Sequence, residues 1–166
     1  MKPENIDIQY ASEKLIPSFH SALDLVAREK IYIEMIEAPP LDKVIVHQQG
    51  LMQKKFPIYY AVTANQVVGF CDVTPFSNPR FSHRGGLGMG LLPDFRGKGL
   101  GSRLLESVVQ HSRNIGMEKI ELQVYTQNLP AIGLYKKYGF EEEGLVKKFR
   151  KLEGEYFDCL AMAKFL

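Results

Sequence analysis

Residues 91–112 read LLPDFRGKGLGSRLLESVVQHS, and this stretch decides how the rest of the chain is interpreted. It connects the end of a predicted strand to the start of a predicted helix through residues 96–101, which include three glycines and two cations. Glycine reaches positive φ angles and has no Cβ, so the backbone N–H groups of such a turn can face a bound anion. The free N–H groups and the dipole of the following helix add to this effect. The turn is therefore predicted to bind a phosphate or pyrophosphate.

The spacing of the glycines excludes two familiar phosphate-binding motifs. A dinucleotide-binding fingerprint needs a glycine at its sixth position, but the sixth residue counted from Gly97 is Ser102. A P-loop would need a glycine where Leu92 stands. The pattern that fits residues 96–101 is Arg/Gln-x-x-Gly-x-Gly/Ala.

A second segment, residues 128–140, reads NLPAIGLYKKYGF. Together the two segments resemble the GNAT superfamily of N-acetyltransferases, in which the first is the coenzyme A pyrophosphate loop and the second follows the pattern N-x-x-A-x-x-L-Y-x-x-x-G-F. The resemblance is specific from Met89 to Phe140, and it implies acetyl-CoA as the cofactor. By this resemblance the cofactor-binding residues are Met89, Gly90, Leu91, Arg96, Gly97, Lys98, Gly99, Leu100, Gly101, Ser102 and Asn128.

Composition and charge exclude several other classes. The chain has 166 residues, of which 45% are hydrophobic and 24% charged, as expected for one globular domain spanning residues 1–166. The net charge of +2 is too small to predict nucleic-acid binding, and the basic run at 147–151 is interpreted as a solvated hairpin end. The N-terminus lacks an apolar targeting stretch, and no run is long enough to cross a membrane.

The histidines and cysteines indicate neither a metal site nor a disulfide. The four histidines show no metal-ligand spacing, so no metal is assigned. Cys71 and Cys159 lie in apolar runs and are predicted to be buried, reduced thiols, which favours a cytoplasmic setting.

The apolar periodicity predicts a mixed α/β fold, with helices on both faces of one twisted, mostly antiparallel sheet. This order of elements also resembles the GNAT fold. Gly85, Gly86, Gly88 and Gly90 fall within one strand, where glycine often marks a bulge or a close approach of a ligand. Strands are predicted at 6–10, 57–63, 66–73, 84–92, 119–125, 145–149 and 156–163, and helices at 12–27 with Ser12 as its cap, 31–36, 41–54, 101–115 and 130–139.

The resemblance assigns Tyr135 as the general acid that protonates the departing thiolate. A phenol with an ordinary pKa near ~10 stays protonated at neutral pH and can donate to sulfur. Tyr138, three residues later, does not match the motif and serves as a control. Backbone N–H groups near Met89 are expected to polarise the thioester carbonyl.

The general base stays open at this point. Ribosomal-protein acetyltransferases place a glutamate five positions before the asparagine, where this chain has Gln123. Other GNAT enzymes carry Glu or His early in the glycine-rich strand, where this chain has Gly85 and Leu87. Candidates for the base are Glu34, Glu37, Glu121, His83 and a water chain, and candidate substrate contacts are Tyr32, Glu34 and Glu37.

The C-terminal half is most similar to small-molecule acetyltransferases that act on amino acids and related amines. A primary amine of a small molecule is therefore the expected acceptor, and a homodimer is a possible assembly. Two alternatives remain: acetylation of a protein N-terminus, and a coenzyme A-binding module without catalysis.

Overall fold

The computed structural model describes residues 5–166. Its elements follow the predicted order, with short 3-10 turns before α1 and α3. They are β1 Asp7–Tyr10, α1 Ile16–Arg28, α2 Leu41–Gln53, β2 Ile58–Thr63, β3 Gln66–Pro75, β4 Arg84–Leu91, α3 Leu100–Asn114, β5 Lys119–Tyr125, α4 Leu129–Lys137, β6 Glu141–Leu152 and β7 Glu155–Phe165.

The strands form one seven-stranded sheet in the order β1-β2-β3-β4-β5-β7-β6. All neighbours are antiparallel except β4 and β5, which are parallel. One apolar core joins α1 and α2 to one face of the sheet, and a second core joins α3 and α4 to the other. The predicted α/β fold class, a mixed and mostly antiparallel sheet with helices on both faces, is confirmed.

The parallel pair β4–β5 separates soon after it begins. Its register covers only Arg84 with Lys119, Gly85 with Ile120 and Gly86 with Glu121. Beyond Gly86, β4 remains paired with β3 as far as Leu91, and β5 remains paired with β7 as far as Tyr125. The two halves of the sheet therefore diverge and leave a gap between β4 and β5.

The β2–β3 hairpin turns through the two residues that separate the predicted strands 57–63 and 66–73. Ala64 and Asn65 connect the strands, and both have positive φ angles, +46° and +61°. Two-residue hairpin turns of this kind match the right-handed twist of the strands.

Residues 31–36 do not form the predicted helix. Lys30 has a φ angle of +62° after the end of α1, and the chain then runs through bends to Pro39 and Pro40. The eight residues between Lys30 and Pro39 are too few for a stable helix. Contacts with α1 hold the segment instead, because the Ala38 N–H donates to Asp24 Oδ1 at 2.9 Å.

The predicted start of α1 was also wrong. Ser12 makes no side-chain capping bond, and its buried hydroxyl has no partner within the described residues. A 3-10 turn covers Glu13–Leu15, and α1 begins at Ile16 because Pro17, which lacks an N–H, fits only the first turn of a helix.

The last two strands are longer than predicted. β6 has twelve residues and β7 eleven, because pairing with β7 extends β6 through its exposed, charged residues, where no apolar alternation shows. Cys71 and Cys159 are free and buried, as predicted. The predictions for residues 1–4, including the absence of a targeting stretch at the start of the chain, lie outside the described residues.

Candidate active site

A cavity of about 1390 Å³ follows the gap between β4 and β5. At one end it is bounded by the first turn of α3, and at the other by α2 and the segment 32–35. Two of the predicted cofactor-binding residues, Leu100 and Lys98, do not line the cavity. Leu100 is 3% exposed, and the Lys98 Nζ lies 5.3 Å from the Phe95 ring centroid. Most of the predicted site residues lie on the cavity wall: Met89, Gly90, Leu91, Arg96, Gly97, Gly99, Gly101, Ser102, Asn128 and Tyr135.

The turn before α3 needs its three glycines for two different reasons. Gly97 and Gly99 have φ angles of +72° and +76°, which disfavour side chains with a Cβ. A Cβ on Gly101 would lie 3.0 Å from Leu134 Cδ2, so this glycine allows α3 to pack closely against α4. Gly99 caps α3 without a side chain, so the first N–H groups of the helix keep their capacity to bind an anion.

The guanidinium of Arg96 has protein partners. Its Nη1 and Nη2 donate to the two carboxylate oxygens of Glu29 at 2.9 and 2.5 Å, and its Nε donates to the Leu91 carbonyl at 3.0 Å. The ring centroid of Tyr32 lies 4.3 Å from the guanidinium carbon. The side chain of Arg96 therefore ties the turn to the end of α1, and its contact with the cofactor stays a prediction.

Three glycines of β4 leave room for neighbouring groups. A Cβ on Gly90 would lie 2.4 Å from the Phe70 ring, one on Gly88 would lie 3.0 Å from Asp72 Oδ1, and one on Gly85 would lie 2.9 Å from Val73. These glycines are thus explained by packing inside the protein. Because β5 no longer pairs with β4 beyond Gly86, backbone N–H and C=O groups along this edge of β4 face the gap.

Tyr135 projects from α4 onto the wall of the cavity and is 6% exposed. Burial, with a smaller effect of the nearby Cys71, raises the pKa of its phenol well above the ordinary value. The hydroxyl therefore keeps its proton at neutral pH. Tyr138 lies outside the cavity and donates to Glu106 at 2.6 Å, so the control residue is engaged elsewhere.

Asn128 caps the helix that carries Tyr135. Its Oδ1 accepts a hydrogen bond from the Ala131 N–H at 3.3 Å, and Pro130 occupies the first turn. The side chain also lies on the cavity wall, three residues after the end of β5. Asn128 therefore sets the start of α4 beside the cavity.

Comparison with known proteins assigns the family. A family model described as the acetyltransferase (GNAT) family matches residues 20–140. The chain belongs to the GNAT acetyltransferase family. As a member, it takes its acetyl group from acetyl-CoA.

Two curated relatives show the range of acceptors among similar GNAT enzymes. An L-amino acid N-acetyltransferase, AaaT, from Escherichia coli (strain K12) is 31% identical over 83% of this chain and 86% of its own length. A putative ribosomal protein bS18-alanine N-acetyltransferase from Bacillus subtilis (strain 168) is 26% identical over 98% of this chain and 90% of its own.

Similarity to solved structures extends over nearly the whole chain. The structure of YncA, a putative acetyltransferase from Salmonella typhimurium with its cofactor acetyl-CoA, superposes with a TM-score of 0.91 at 18% identity. The match covers 97% of this chain and 94% of that one and shows a shared fold.

The acidic residues considered as the base of this GNAT enzyme differ in their surroundings. Glu121 lines the cavity but is paired with Arg84 at 3.0 Å and Lys119 at 3.6 Å. Glu34 also lines the cavity, whereas Glu37 and His83 do not. Of the candidate substrate contacts predicted from the sequence, Tyr32 and Glu34 therefore lie on the cavity wall and Glu37 does not.

Two acidic residues on the wall, Asp72 and Glu143, were missed in the sequence. Glu143 is paired with Lys119 at 2.8 Å, whereas Asp72 has no such partner within residues 5–166. Asp72 projects from β3 into the cavity, and the Thr74 hydroxyl donates to its Oδ2 at 3.3 Å. Burial raises the pKa of its carboxyl to about 6, and the hydrogen bond from Thr74 opposes this shift. The signal was present in the sequence, because Asp72 is the only charged residue of a strand that is otherwise apolar or neutral.

The acceptor end of the cavity combines polar groups from several elements. Lys43, His47 and Gln48 line it from α2, and the buried hydroxyl of Tyr60 donates to Gln48 Oε1 at 2.8 Å. Tyr125 lines it from β5. Such a mixed lining offers polar contacts to a bound ligand.

Residues 5–166 contain no group of three or more His, Cys, Asp and Glu side chains arranged to hold a metal ion. In the same part of the chain, no helix combines the length and the apolar character needed to cross a membrane.

Proposed function

We propose that this protein transfers the acetyl group of acetyl-CoA to the primary amine of a small molecule such as an amino acid or a polyamine. The observation that carries the proposal is the continuous cavity, which extends from the glycine turn to an end lined by polar residues, among them Glu34, Lys43, His47 and Gln48. The similarity to an L-amino acid N-acetyltransferase supports an amino acid as the acceptor.

In this proposal the pyrophosphate of acetyl-CoA binds at the glycine turn and the N–H groups that begin α3. The pantetheine arm then follows the free edge of β4 along Met89, Gly90 and Leu91, with Asn128 on the opposite side of the gap. This path would place the thioester between β4 and Tyr135.

The chemistry is direct attack of the amine on the thioester carbonyl. The C–N bond forms while backbone N–H groups near Met89 stabilise the oxyanion, and the C–S bond then breaks. Tyr135 donates its phenolic proton to the departing thiolate, and its raised pKa keeps that proton available until the charge on sulfur develops.

Acetylation of a protein N-terminus is the second candidate, favoured by the Bacillus subtilis relative. Against it stands Gln123, which occupies the position of the glutamate proposed as general base in the ribosomal-protein enzymes. A coenzyme A-binding module without catalysis is the third candidate, and the retention of Tyr135 and Asn128 argues against it.

A thiol-release assay separates the three candidates. The protein is mixed with acetyl-CoA and a panel of free amino acids, polyamines and short peptides, and free coenzyme A is measured. The proposal expects release with a free amine and little with peptides, whereas a preference for peptides would favour the second candidate. Binding of acetyl-CoA without release above background would favour the third.

We further propose that residues 1–166 form one domain acting in the cytoplasm, which the two free, buried thiols support. A homodimer is also proposed. Leu145 and Val146 on the edge strand β6 are 51% and 37% exposed and offer apolar surface for it. Light scattering on purified protein would test this assembly.

A further inference from the structure

We propose that Asp72 is the general base that accepts a proton from the acceptor amine. The inference rests on the proposed transfer of acetyl to an amine. The sequence analysis assigned no residue as the general base, and this inference assigns one.

The position of the carboxylate is set by the pairing of β3 with β4. Asp72 is opposite Gly88, and a Cβ on Gly88 would lie 3.0 Å from Asp72 Oδ1. The missing side chain at Gly88 therefore lets Oδ1 lie over β4, the strand that borders the gap. Thr74 holds the other oxygen, Oδ2, so the carboxylate has a defined orientation.

Asp72 and Tyr135 lie on opposite faces of the sheet. Side chains alternate along β3, and Cys71 and Val73 belong to the core with α3 and α4, where Tyr135 also packs. Phe70, which shares the face of Asp72, belongs to the core with α1 and α2. An amine that enters from the acceptor end would thus meet Asp72 on its own side of the gap and Tyr135 on the side of the leaving sulfur.

Asp72 is also a cavity carboxylate without a counter-ion. Within residues 5–166 no cation forms a salt bridge with it, whereas Glu121 is paired with both Arg84 and Lys119. A carboxylate held by two cations is a weak base, because its charged form is stabilised. The other titratable and charged groups that line the same cavity are Tyr32, Glu34, Lys43, His47, Arg84, Arg96, Glu121, Tyr125, Tyr135, Glu143 and Cys159.

The phenol of Tyr60 on β2, which interacts with Asp72, stays uncharged at neutral pH. Burial raises the pKa of that phenol far above its ordinary value, and the negative charge of Asp72 adds to the shift. The pKa of Asp72 itself, raised to about 6, makes it ionised at neutral pH and more basic than an ordinary carboxylate.

The proton balance of the reaction is then complete. The ammonium form of the acceptor gives its first proton to Asp72, directly or through one water, and the neutral nitrogen attacks the thioester. The nitrogen of the tetrahedral intermediate loses its second proton to water as the C–S bond breaks and Tyr135 protonates the sulfur. Asp72 and Tyr135 return to their starting states by exchange with water, so the amide, free coenzyme A and one proton are the products.

The test is Asp72→Asn, which keeps the shape of the side chain and removes its basicity. We expect kcat/KM for the amine to fall by about 10²–10⁴ at pH 7, the range for loss of a general base. Wild-type kcat/KM should be level above about pH 6 and decline below it. The variant should lack this break, because its kcat/KM follows the fraction of free amine at every pH. Its deficit should shrink at high pH, where the free amine is abundant.

Two further readouts separate catalysis from folding. Acetyl-CoA affinity, measured by calorimetry, should stay within about twofold of the wild type, an expected fold-change for a residue outside the cofactor path. The melting temperature of Asp72→Asn should rise at pH 7.5, because the raised pKa means that the folded protein disfavours the ionised carboxylate. The matched control Asp42→Asn removes an exposed carboxylate from the first turn of α2 and should leave activity unchanged.

Asp72→Asn with near wild-type kcat/KM and an unchanged acidic decline would overturn the assignment. So would a Glu34→Gln variant that alone abolishes the decline, since Glu34 is the rival carboxylate of the cavity. Failure of the proposed function is distinct from both, because the wild-type protein would then release no thiol with any amine, and the inference would fall with it.

Discussion

At the scale of single residues, Tyr135 provides the sharpest test of the proposed chemistry. Tyr135→Phe removes only the hydroxyl, so packing against Phe140 and acetyl-CoA affinity should be retained. We expect kcat to fall by about 10²–10⁴, because the thiolate must leave without a positioned acid. Single-turnover kinetics would measure the chemical step directly.

Tyr138→Phe is the control for this variant, since it removes a phenol that is bonded to Glu106 outside the cavity. It should leave kcat unchanged. Near wild-type turnover in Tyr135→Phe would instead remove the phenol from the mechanism and leave the thiolate to take its proton from water.

Asn128 caps α4 and is proposed to contact acetyl-CoA, and a pair of variants can separate these two roles. Asn128→Ala should raise the acetyl-CoA KM more than the amine KM, and loss of the α4 cap should cost about 1 kcal/mol of stability. Asn128→Asp keeps the capping oxygen but loses the amide N–H groups. If its acetyl-CoA KM equals that of the wild type, capping is the whole role of this residue, and steady-state kinetics with both substrates would decide.

At the scale of elements, the start of α3 can be tested without disturbing the fold. Valine at Gly99 or Gly101 is a poor test, because the φ angle of Gly99 and the contact of Gly101 with Leu134 would themselves be disrupted. Ser102→Asp instead places a carboxylate in the first turn, where the helix dipole favours it. We expect acetyl-CoA affinity to fall at least about tenfold by repulsion of the pyrophosphate, since 1.4 kcal/mol is tenfold in affinity.

Calorimetry of acetyl-CoA binding would measure this loss, and thermal unfolding would show that α3 is intact. Ser107→Asp makes the same change further along α3, at a residue that does not line the cavity, and should retain affinity. Equal affinities of the Ser102 and Ser107 variants for acetyl-CoA would show that the pyrophosphate does not bind at this turn.

At the scale of the whole molecule, the Arg96–Glu29 pair connects the glycine turn to α1. Both side chains are less than one-third exposed and share two hydrogen bonds. Glu29→Gln should lower the free energy of unfolding by about 1–2 kcal/mol, because the guanidinium loses a charged partner in a partly buried site. Urea denaturation would measure it.

Glu142→Gln, which breaks an exposed pair with Lys136, is the matched control and should cost less than about 0.5 kcal/mol. An equal loss for both variants would show that the Arg96–Glu29 pair has no special role in holding the turn.

The sequence by itself determined the features that depend on local chemistry. Gly97 and Gly99 adopt positive φ angles that few other residues tolerate, and α3 and β5 begin and end within one residue of their predicted bounds. The family follows from the same stretches. These features could be predicted because backbone conformation and amphipathic spacing act over a few residues.

Only the tertiary structure decided which side chains meet across distant segments. It showed that Arg96 bonds to Glu29, 67 residues away, and that Asp72 lies over Gly88 of the neighbouring strand. It also set the length of β6, which pairing with β7 extends through exposed residues, and left residues 31–36 without a helix. Strand register and long-range ion pairs depend on contacts between segments far apart in the chain, so spacing within one segment cannot reveal them.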